Sequence, residues 1–180
     1  FDQTDLQLKL KLKKQTLIIP SSKTFTLKKD QSVILPFNLS MEGALLKYST
    51  TQLLAKVEEK NAVHYFFFAP EGLRTEYSFD KSTLSSGKEF YTPKPGLKST
   101  FSITVKNGKT LKITTLTRQQ ALNTTKVNNH ILITEATVLP EKEQCTLLSL
   151  GKTQISYALY TANKGWKEET IEVQPVDVKA

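Results

Sequence analysis

The sequence predicts an all-β protein, an antiparallel β-sandwich with at most one or two short helices. Polar and apolar residues alternate with a period of two, short apolar runs recur along the 180 residues, and Gly, Pro, Asn and Ser separate these runs. A chain of this length buries roughly two-thirds of its unfolded surface, which is enough for a core without disulfides.

The alternation starts near the N-terminus, where Leu6, Leu8, Leu10 and Leu12 are separated by polar residues. This pattern is typical of a strand with one buried and one solvated face. Further strands are predicted, in chain order, at residues 24–28, 32–39, 44–50, 52–58, 63–69, 75–79, 101–105, 111–116, 130–136, 144–150, 154–160 and 170–173.

The strand at 63–69 is the most aromatic of the set. Tyr65, Phe66, Phe67 and Phe68 occupy successive positions, so their rings point to both sides of the strand. Burial on both faces is therefore favoured over an exposed ladder of rings.

The clearest turn contains the Asn-Gly pair of residues 106–108. A two-residue loop would place the apolar residues of the two flanking strands on opposite faces. A three-residue loop, with its glycine in the left-handed conformation, pairs Ile103 with Leu111 and Phe101 with Ile113. We predict this bulged form.

Residues 117–120 have the form of a capping box and predict one short helix. The segment 82–99 is rich in Gly and Pro and is predicted to be the main linker. It divides the chain into an N-terminal part of hairpins and sheet, 1–92, and a C-terminal part, 93–180. We expect the two parts to share sheets within one compact unit.

The formal charge of +8 comes almost entirely from lysine, because Arg74 and Arg118 are the only arginines. Arginine supplies the fork that reads phosphates and bases, so nucleic acid is not an expected partner. A basic surface at residues 9–14 that binds an anionic polymer remains an alternative. The longest apolar run is far too short to cross a membrane.

Residues with reactive or metal-binding side chains are few. Cys145 is the only cysteine and is predicted to be a small buried residue, while His64 and His130 are predicted to be structural. No serine-nucleophile or nucleotide-binding motif is present. The sequence therefore predicts no catalytic residue, no metal and no cofactor.

Three pairs of carboxylates lie beside lysines in polar sequence and are predicted to be exposed: Glu58 with Glu59, Glu141 with Glu143, and Glu168 with Glu169. A glycosidase acid instead needs a raised pKa in a shaped cleft.

The aromatic residues suggest one candidate surface on which a sugar ring could stack. Trp166 follows a predicted turn and is combined with Tyr160 or Tyr91 as a candidate carbohydrate-binding platform. The competing interpretation is that this tryptophan covers the edge of a sheet.

Three segments, 43–54, 64–72 and 111–123, occur in an order that resembles the second domain of glycoside hydrolase family 35 β-galactosidases. The resemblance spans roughly residues 31 to 160. It implies N-terminal hairpins and an immunoglobulin-like C-terminal part. Because the chain starts at Phe1, we expect it to be an excised fragment of a longer polypeptide.

In that family the catalytic glutamates belong to a separate barrel, which needs about 250 residues. The resemblance thus implies a non-catalytic accessory domain that supports the barrel and shapes its cleft. Its expected partners are the barrel, other domains of the parent chain and galactose-containing glycans. By analogy, the enzyme is expected to be exported to the periplasm or the extracellular space.

Overall fold

The structure, a computed structural model, describes residues 1–13, 15–142 and 144–173. Its strands, in chain order, are β1 (Gln3–Leu6), β2 (Leu8–Lys11), β3 (Thr16–Ile19), β4 (Phe25–Leu27), β5 (Phe37–Met41), β6 (Ala44–Ser49), β7 (Gln52–Glu58), β8 (Ala62–Phe68), β9 (Tyr77–Phe79), β10 (Leu84–Ser86), β11 (Phe90–Tyr91), β12 (Thr100–Val105), β13 (Thr110–Leu116), β14 (Thr124–Val127), β15 (His130–Thr134), β16 (Thr137–Pro140), β17 (Cys145–Leu148), β18 (Gln154–Thr161) and β19 (Gly165–Glu172). A 3₁₀ turn (Lys81–Thr83) precedes β10, and one helix, α1 (Arg118–Leu122), follows β13. Within the described ranges, no helix is long and apolar enough to span a membrane.

The strands form three larger sheets and three two-stranded ones. The central sheet has the order β10-β12-β13-β8-β7, the N-terminal sheet β11-β9-β6-β5 and the C-terminal sheet β14-β15-β18-β19, while β1-β4, β2-β3 and β16-β17 pair separately. In the part of the chain that the structure describes, β13 and β8 are parallel and the other pairs are antiparallel. The predicted all-β sandwich is confirmed.

Strand β8 contributes to two separate cores, one on each of its faces. Val63, Tyr65 and Phe67 pack with residues of the N-terminal sheet, among them Tyr77. Phe66 points the other way and packs with residues of the C-terminal sheet. The central sheet is therefore the middle layer of three, and the predicted two-sided burial of this strand is confirmed.

The predicted hairpin between β12 and β13 is also confirmed. Ile103 lies opposite Leu111 and Phe101 opposite Ile113, as the bulged loop requires. Gly108 has a φ of 87°, a conformation that glycine adopts without steric cost. Thr117 caps α1, and Gln120 completes the predicted capping box.

Several stretches of the chain differ from the prediction. Strands β3, β14 and β16 were not predicted, β19 starts at Gly165 rather than at residue 170, and the alternating leucines near the N-terminus are divided between β1 and β2. The strand predicted at 32–39 starts only at Phe37, because the preceding proline has no N–H for a sheet hydrogen bond. The segment 82–99, predicted to be a linker, contains β10 and β11, which extend the central and N-terminal sheets. Strands on both sides of residue 92 therefore pair in the central sheet, while the domain boundary itself stays a prediction.

Two predictions about the burial of apolar side chains are wrong. Cys145 is only half-buried, because the β16–β17 hairpin pairs with no other described strand. On the N-terminal hairpin, Leu8 and Leu12 have 43% and 39% of their surface exposed. Periodicity indicates which face of a strand is apolar, but it does not show whether another sheet covers that face.

Candidate functional site

A cluster of polar side chains, all but one of them buried, lies between the central and C-terminal sheets. This Glu59 cluster comprises Glu59, His64, Lys112, Thr114 and Tyr160. His64 lies on β8 beside Lys112 on β13, because these parallel strands pair residue for residue. Tyr160 reaches the cluster from β18, so three sheet strands and the turn after β7 meet there.

The hydrogen bonds of the cluster determine its protonation. Tyr160 donates to Oε1 of Glu59, and Lys112 Nζ lies 2.7 Å from Oε2. Since the Tyr160 hydroxyl proton is used, its oxygen accepts from Nδ1–H of His64 at 2.6 Å. In the neutral ring, which the lowered pKa of His64 favours, Nε2 accepts from the hydroxyl of Thr114 at 2.7 Å. His64 is therefore the neutral, Nδ1-protonated tautomer.

The pKa values of the cluster agree with this assignment. Burial lowers the pKa of His64 to about 4, against the attraction of Glu59. Burial alone would raise the pKa of Glu59, but hydrogen bonds from Lys112 and Tyr160 outweigh it and hold the pKa below its ordinary value. Burial and Glu59 together raise the pKa of Tyr160. At neutral pH the cluster thus holds the Glu59 carboxylate, a neutral His64 ring and a protonated Tyr160 hydroxyl.

Aromatic rings enclose the histidine. The ring of Phe66 stacks on that of His64 with centroids 4.3 Å apart, and Tyr160 meets it edge-on at 4.7 Å. His64 and Tyr160 are both buried, so a substrate has no access to either ring. The arrangement links the central and C-terminal sheets through the hydrogen bonds of Tyr160.

The three residues predicted to bind sugar lie in two places. Trp166 is half-buried and packs edge-on against Tyr160 at 5.3 Å, with a buried Nε1 that has no hydrogen-bond partner among the described residues. Tyr91 lies in the N-terminal sheet, where it stacks on Phe101 at 3.9 Å. The structure does not bring the three rings onto one exposed face. Sugar binding by these residues stays a prediction.

The prediction that the paired carboxylates are exposed is wrong for Glu59, whose side chain is only 3% exposed. The turn after β7 directs it inward, where Lys112 and Tyr160 bind it. Sequence could not show this burial, because Tyr160 is 101 positions away and the adjacent residues are charged. Of the others, Glu58, Glu141 and Glu168 are exposed, Glu169 is half-buried, and Glu143 lies outside the described residues.

A second buried carboxylate, Glu76, was not predicted from the sequence. It accepts hydrogen bonds from Tyr48 at 2.6 Å, from the backbone and hydroxyl of Ser21 at 2.7 and 2.9 Å, and from Ser22 at 2.7 Å. Burial raises the pKa of this carboxyl, but these donors outweigh it and lower the pKa below its ordinary value. This Glu76 cluster (Glu76, Tyr48, Ser21 and Ser22) ties the N-terminal segment to β6.

The remaining candidates form no site. His130 is half-buried at the start of β15, on a different sheet from His64. In residues 1–13, 15–142 and 144–173, no group of three His, Cys, Asp or Glu side chains could hold a metal ion. A cavity of about 840 Å³ beside β18 contains Glu135 and Lys152, which pair with each other at 2.8 Å.

Comparison with known proteins supplies the family. No curated protein matches the chain. Residues 1–138, most of its length, match the family described as "Beta-galactosidase, domain 2". This second domain is non-catalytic. The chain therefore belongs to the β-galactosidase domain 2 family, as the motifs at 43–54, 64–72 and 111–123 had indicated.

Proposed function

We propose that this chain is the accessory domain of a larger β-galactosidase, which packs beside the catalytic barrel, supports it and forms part of the edge of its cleft. The observation that carries the proposal is the family match over residues 1–138. A three-layered sandwich with two packed cores offers sheet surfaces against which another domain can pack.

The buried carboxylates support the non-catalytic role. Retaining glycosidases use two carboxyl groups about 5–5.5 Å apart that face one substrate-filled cleft. Glu59 and Glu76 instead belong to separate clusters, and each is occupied by hydrogen bonds from the protein itself. The acid and the nucleophile of the parent enzyme then belong to its barrel.

The proposal is tested by removing the domain from the parent polypeptide. We expect the deletion to lower the temperature at which the catalytic domain unfolds, because a supporting surface is lost. The isolated 180-residue chain should release no chromophore from a chromogenic β-galactoside. An unchanged unfolding temperature would contradict the supporting role, and measurable cleavage by the pure chain would contradict the non-catalytic one.

Binding of galactose-containing glycans is a second proposal, and Trp166 carries it alone, because it is half-exposed next to the turn between β18 and β19. A galactan titration should change the tryptophan fluorescence, and Trp166→Ala should abolish binding. Fluorescence that stays constant throughout the titration would remove this proposal.

Binding of an anionic polymer stays a separate prediction for the lysines of the N-terminal hairpin. Lys9 and Lys11 share one exposed face of β2, whereas Lys14 lies outside the described residues. Such binding should weaken steeply as salt rises. We also propose export of the parent enzyme, which rests on family analogy and is checked by cell fractionation.

A further inference from the structure

Two adjoining clefts lie on either side of the segment 92–94, which follows β11. The first has a volume of about 500 Å³ and the second a volume of about 460 Å³, and both contain Thr92, Pro93 and Lys94. Together they are called the Pro93 clefts. Their basic side chains are Lys88, Lys94 and Lys98 in the first cleft and Lys23, Arg74 and the same Lys94 in the second.

The Pro93 clefts carry an excess of positive charge. Their five cationic residues are exposed, and none of them forms a salt bridge with a carboxylate of the described residues. Among the described residues that line the clefts, the one carboxylate is Glu76, which the neutral donors of its own cluster bind. Glu89, next to Lys88 in the sequence, pairs with Lys47. An anionic ligand would therefore meet ammonium groups that have no competing ion pair.

Hydrogen bonds hold the walls of the Pro93 clefts in place. The carbonyl of Pro93 accepts from the hydroxyl of the buried Thr75. The hydroxyl of Tyr91 accepts from the backbone N–H of Lys88 at 2.7 Å. The loop 96–99 is fixed to β13 by two backbone hydrogen bonds of 2.8 and 3.1 Å. The backbone that carries the lysines is thus ordered before a ligand arrives, which reduces the entropy lost on binding.

The first cleft also has an apolar wall of aromatic rings. Tyr91 stacks on Phe101 with centroids 3.9 Å apart, and both line the cleft together with Phe90, which is 46% exposed. Ammonium groups beside aromatic rings are complementary to a ligand that combines C–H faces with anionic groups. A sugar ring that carries a carboxylate or a sulfate ester has this combination.

We infer that the Pro93 clefts bind an acidic glycan, whose carboxylate or sulfate groups pair with the lysines while a sugar ring packs against Phe90. The choice of a glycan among polyanions rests on the proposed function, because an accessory domain of a galactoside-cleaving enzyme meets sugar chains. Nucleic acid fits less well, since Arg74 is the single arginine of the clefts and lysine lacks the planar fork that reads phosphates and bases.

Binding to the isolated chain tests the inference by calorimetric titration with three glycans. A sulfated galactan and polygalacturonate represent the two acidic groups, and a neutral galactan is the control. We expect at least one acidic glycan to bind at low salt and the neutral galactan to bind more weakly or not at all. Binding should weaken as salt rises, because salt screens exposed charges. This comparison uses the wild-type chain alone.

A matched pair of variants locates the site. Lys88→Gln, Lys94→Gln and Lys98→Gln, combined, should raise the dissociation constant by about tenfold. The control combines Lys9→Gln, Lys11→Gln and Lys13→Gln, which remove the same charge from the N-terminal hairpin and should leave binding nearly unchanged. All six lysines are exposed, so both variants should unfold at the temperature of the wild type.

Several results would overturn the inference. These are the absence of binding by both acidic glycans at low salt, equal losses in the two triple variants, and binding of the neutral galactan as tight as that of the acidic ones. Single-stranded DNA that binds more tightly than either acidic glycan would assign the clefts to nucleic acid instead.

The result is separate from that of the domain deletion. If the deletion destabilises the catalytic domain but no acidic glycan binds, the inference falls and the supporting role stands. If an acidic glycan binds at the Pro93 clefts but the deletion has no effect, the supporting role falls and the inference stands.

Discussion

Glu59 and Glu76 are both buried acids, but the protein stabilises their charges in different ways. Glu59 is bound by an ammonium group, Lys112, and by one hydroxyl, that of Tyr160. Glu76 has no cation among its hydrogen-bond partners in the described residues and is bound by four neutral donors. Both carboxyls have lowered pKa values, so both solutions keep the charge at neutral pH.

This difference in charge stabilisation should determine how the stability of each cluster responds to the loss of a single partner. Removal of one partner from a buried ion pair leaves an uncompensated charge, and this is costly. Hydrogen bonds from several neutral donors are worth less individually, so the loss of one leaves the others in place. We therefore expect the Glu59 cluster to depend on single residues and the Glu76 cluster to tolerate single losses.

The largest effect is expected from Lys112→Met. This change keeps most of the length of the side chain but leaves the buried Glu59 carboxylate without its cation. Because the Lys112 end of the pair is half-exposed, the free energy of unfolding should fall by about 2 to 3 kcal/mol, less than for a fully buried pair. Urea unfolding measures it. The matched control is Lys152→Met, which removes an exposed pair with Glu135 and should leave the free energy of unfolding almost unchanged. Equal losses for the two variants would contradict the distinction.

Acid is expected to weaken the Glu59 cluster before the Glu76 cluster. Unfolded His64 takes up a proton near its ordinary pKa of 6.5, whereas the folded side chain stays neutral down to about pH 4. The unfolded state therefore binds more protons than the folded state between pH 6.5 and pH 4. As the pH is lowered through this range, the free energy of unfolding should fall by on the order of 3 kcal/mol. The contributions of Glu59 and Glu76 are lost only below the ordinary glutamate value of 4.5.

Unfolding midpoints in urea, measured from pH 7 to pH 4, check this dependence. The variant His64→Gln lacks the titrating ring and should have a flatter profile between pH 6.5 and 4. A profile as steep as that of the wild type would assign the acid sensitivity to another group.

A matched pair of substitutions compares the clusters directly. Tyr160→Phe removes the hydroxyl that bridges His64 and Glu59, and should cost about 2 kcal/mol because two buried polar groups lose their partner. Tyr48→Phe removes one of four donors to Glu76 and should cost about 1 kcal/mol. Thermal unfolding in parallel measures both, and a larger loss for Tyr48→Phe would reverse the expected order.

The smallest effect is expected from Ser22→Ala. It removes the donor to Oε2 of Glu76 but leaves Tyr48 and Ser21 bound to Oε1, so the loss should be about 0.5 to 1 kcal/mol. Urea unfolding against the wild type is the measurement. A cost equal to that of Lys112→Met would show that the donors of Glu76 act as a unit.

Sequence predicted the features that depend on neighbouring residues. The successive aromatic residues of β8 indicated two buried faces, the Asn-Gly turn determined the pairing of Ile103 with Leu111, and Thr117 marked the start of α1. In each case the signal lies within a few positions of the structure it specifies, so period and turn chemistry are sufficient.

The buried acids depend on contacts that are distant along the chain. Glu59 is hydrogen-bonded to Tyr160, which is 101 positions away in the sequence, and Glu76 to Ser21, which is 55 positions away. A glutamate beside lysines has the same local pattern whether it is exposed or buried. The candidate site could therefore not be predicted, although the fold could.

The parallel pairing of β8 with β13 has a consequence during synthesis. As the chain leaves the ribosome, β7 can pair with one edge of β8 at once, but the other edge has no neighbour until residues 110–116 have emerged. During that interval the nascent chain presents an apolar strand with an open edge, a known template for aggregation. Slower translation between residues 69 and 109 would prolong this exposure, and a holdase chaperone that covers the strand would protect the chain until its partner arrives.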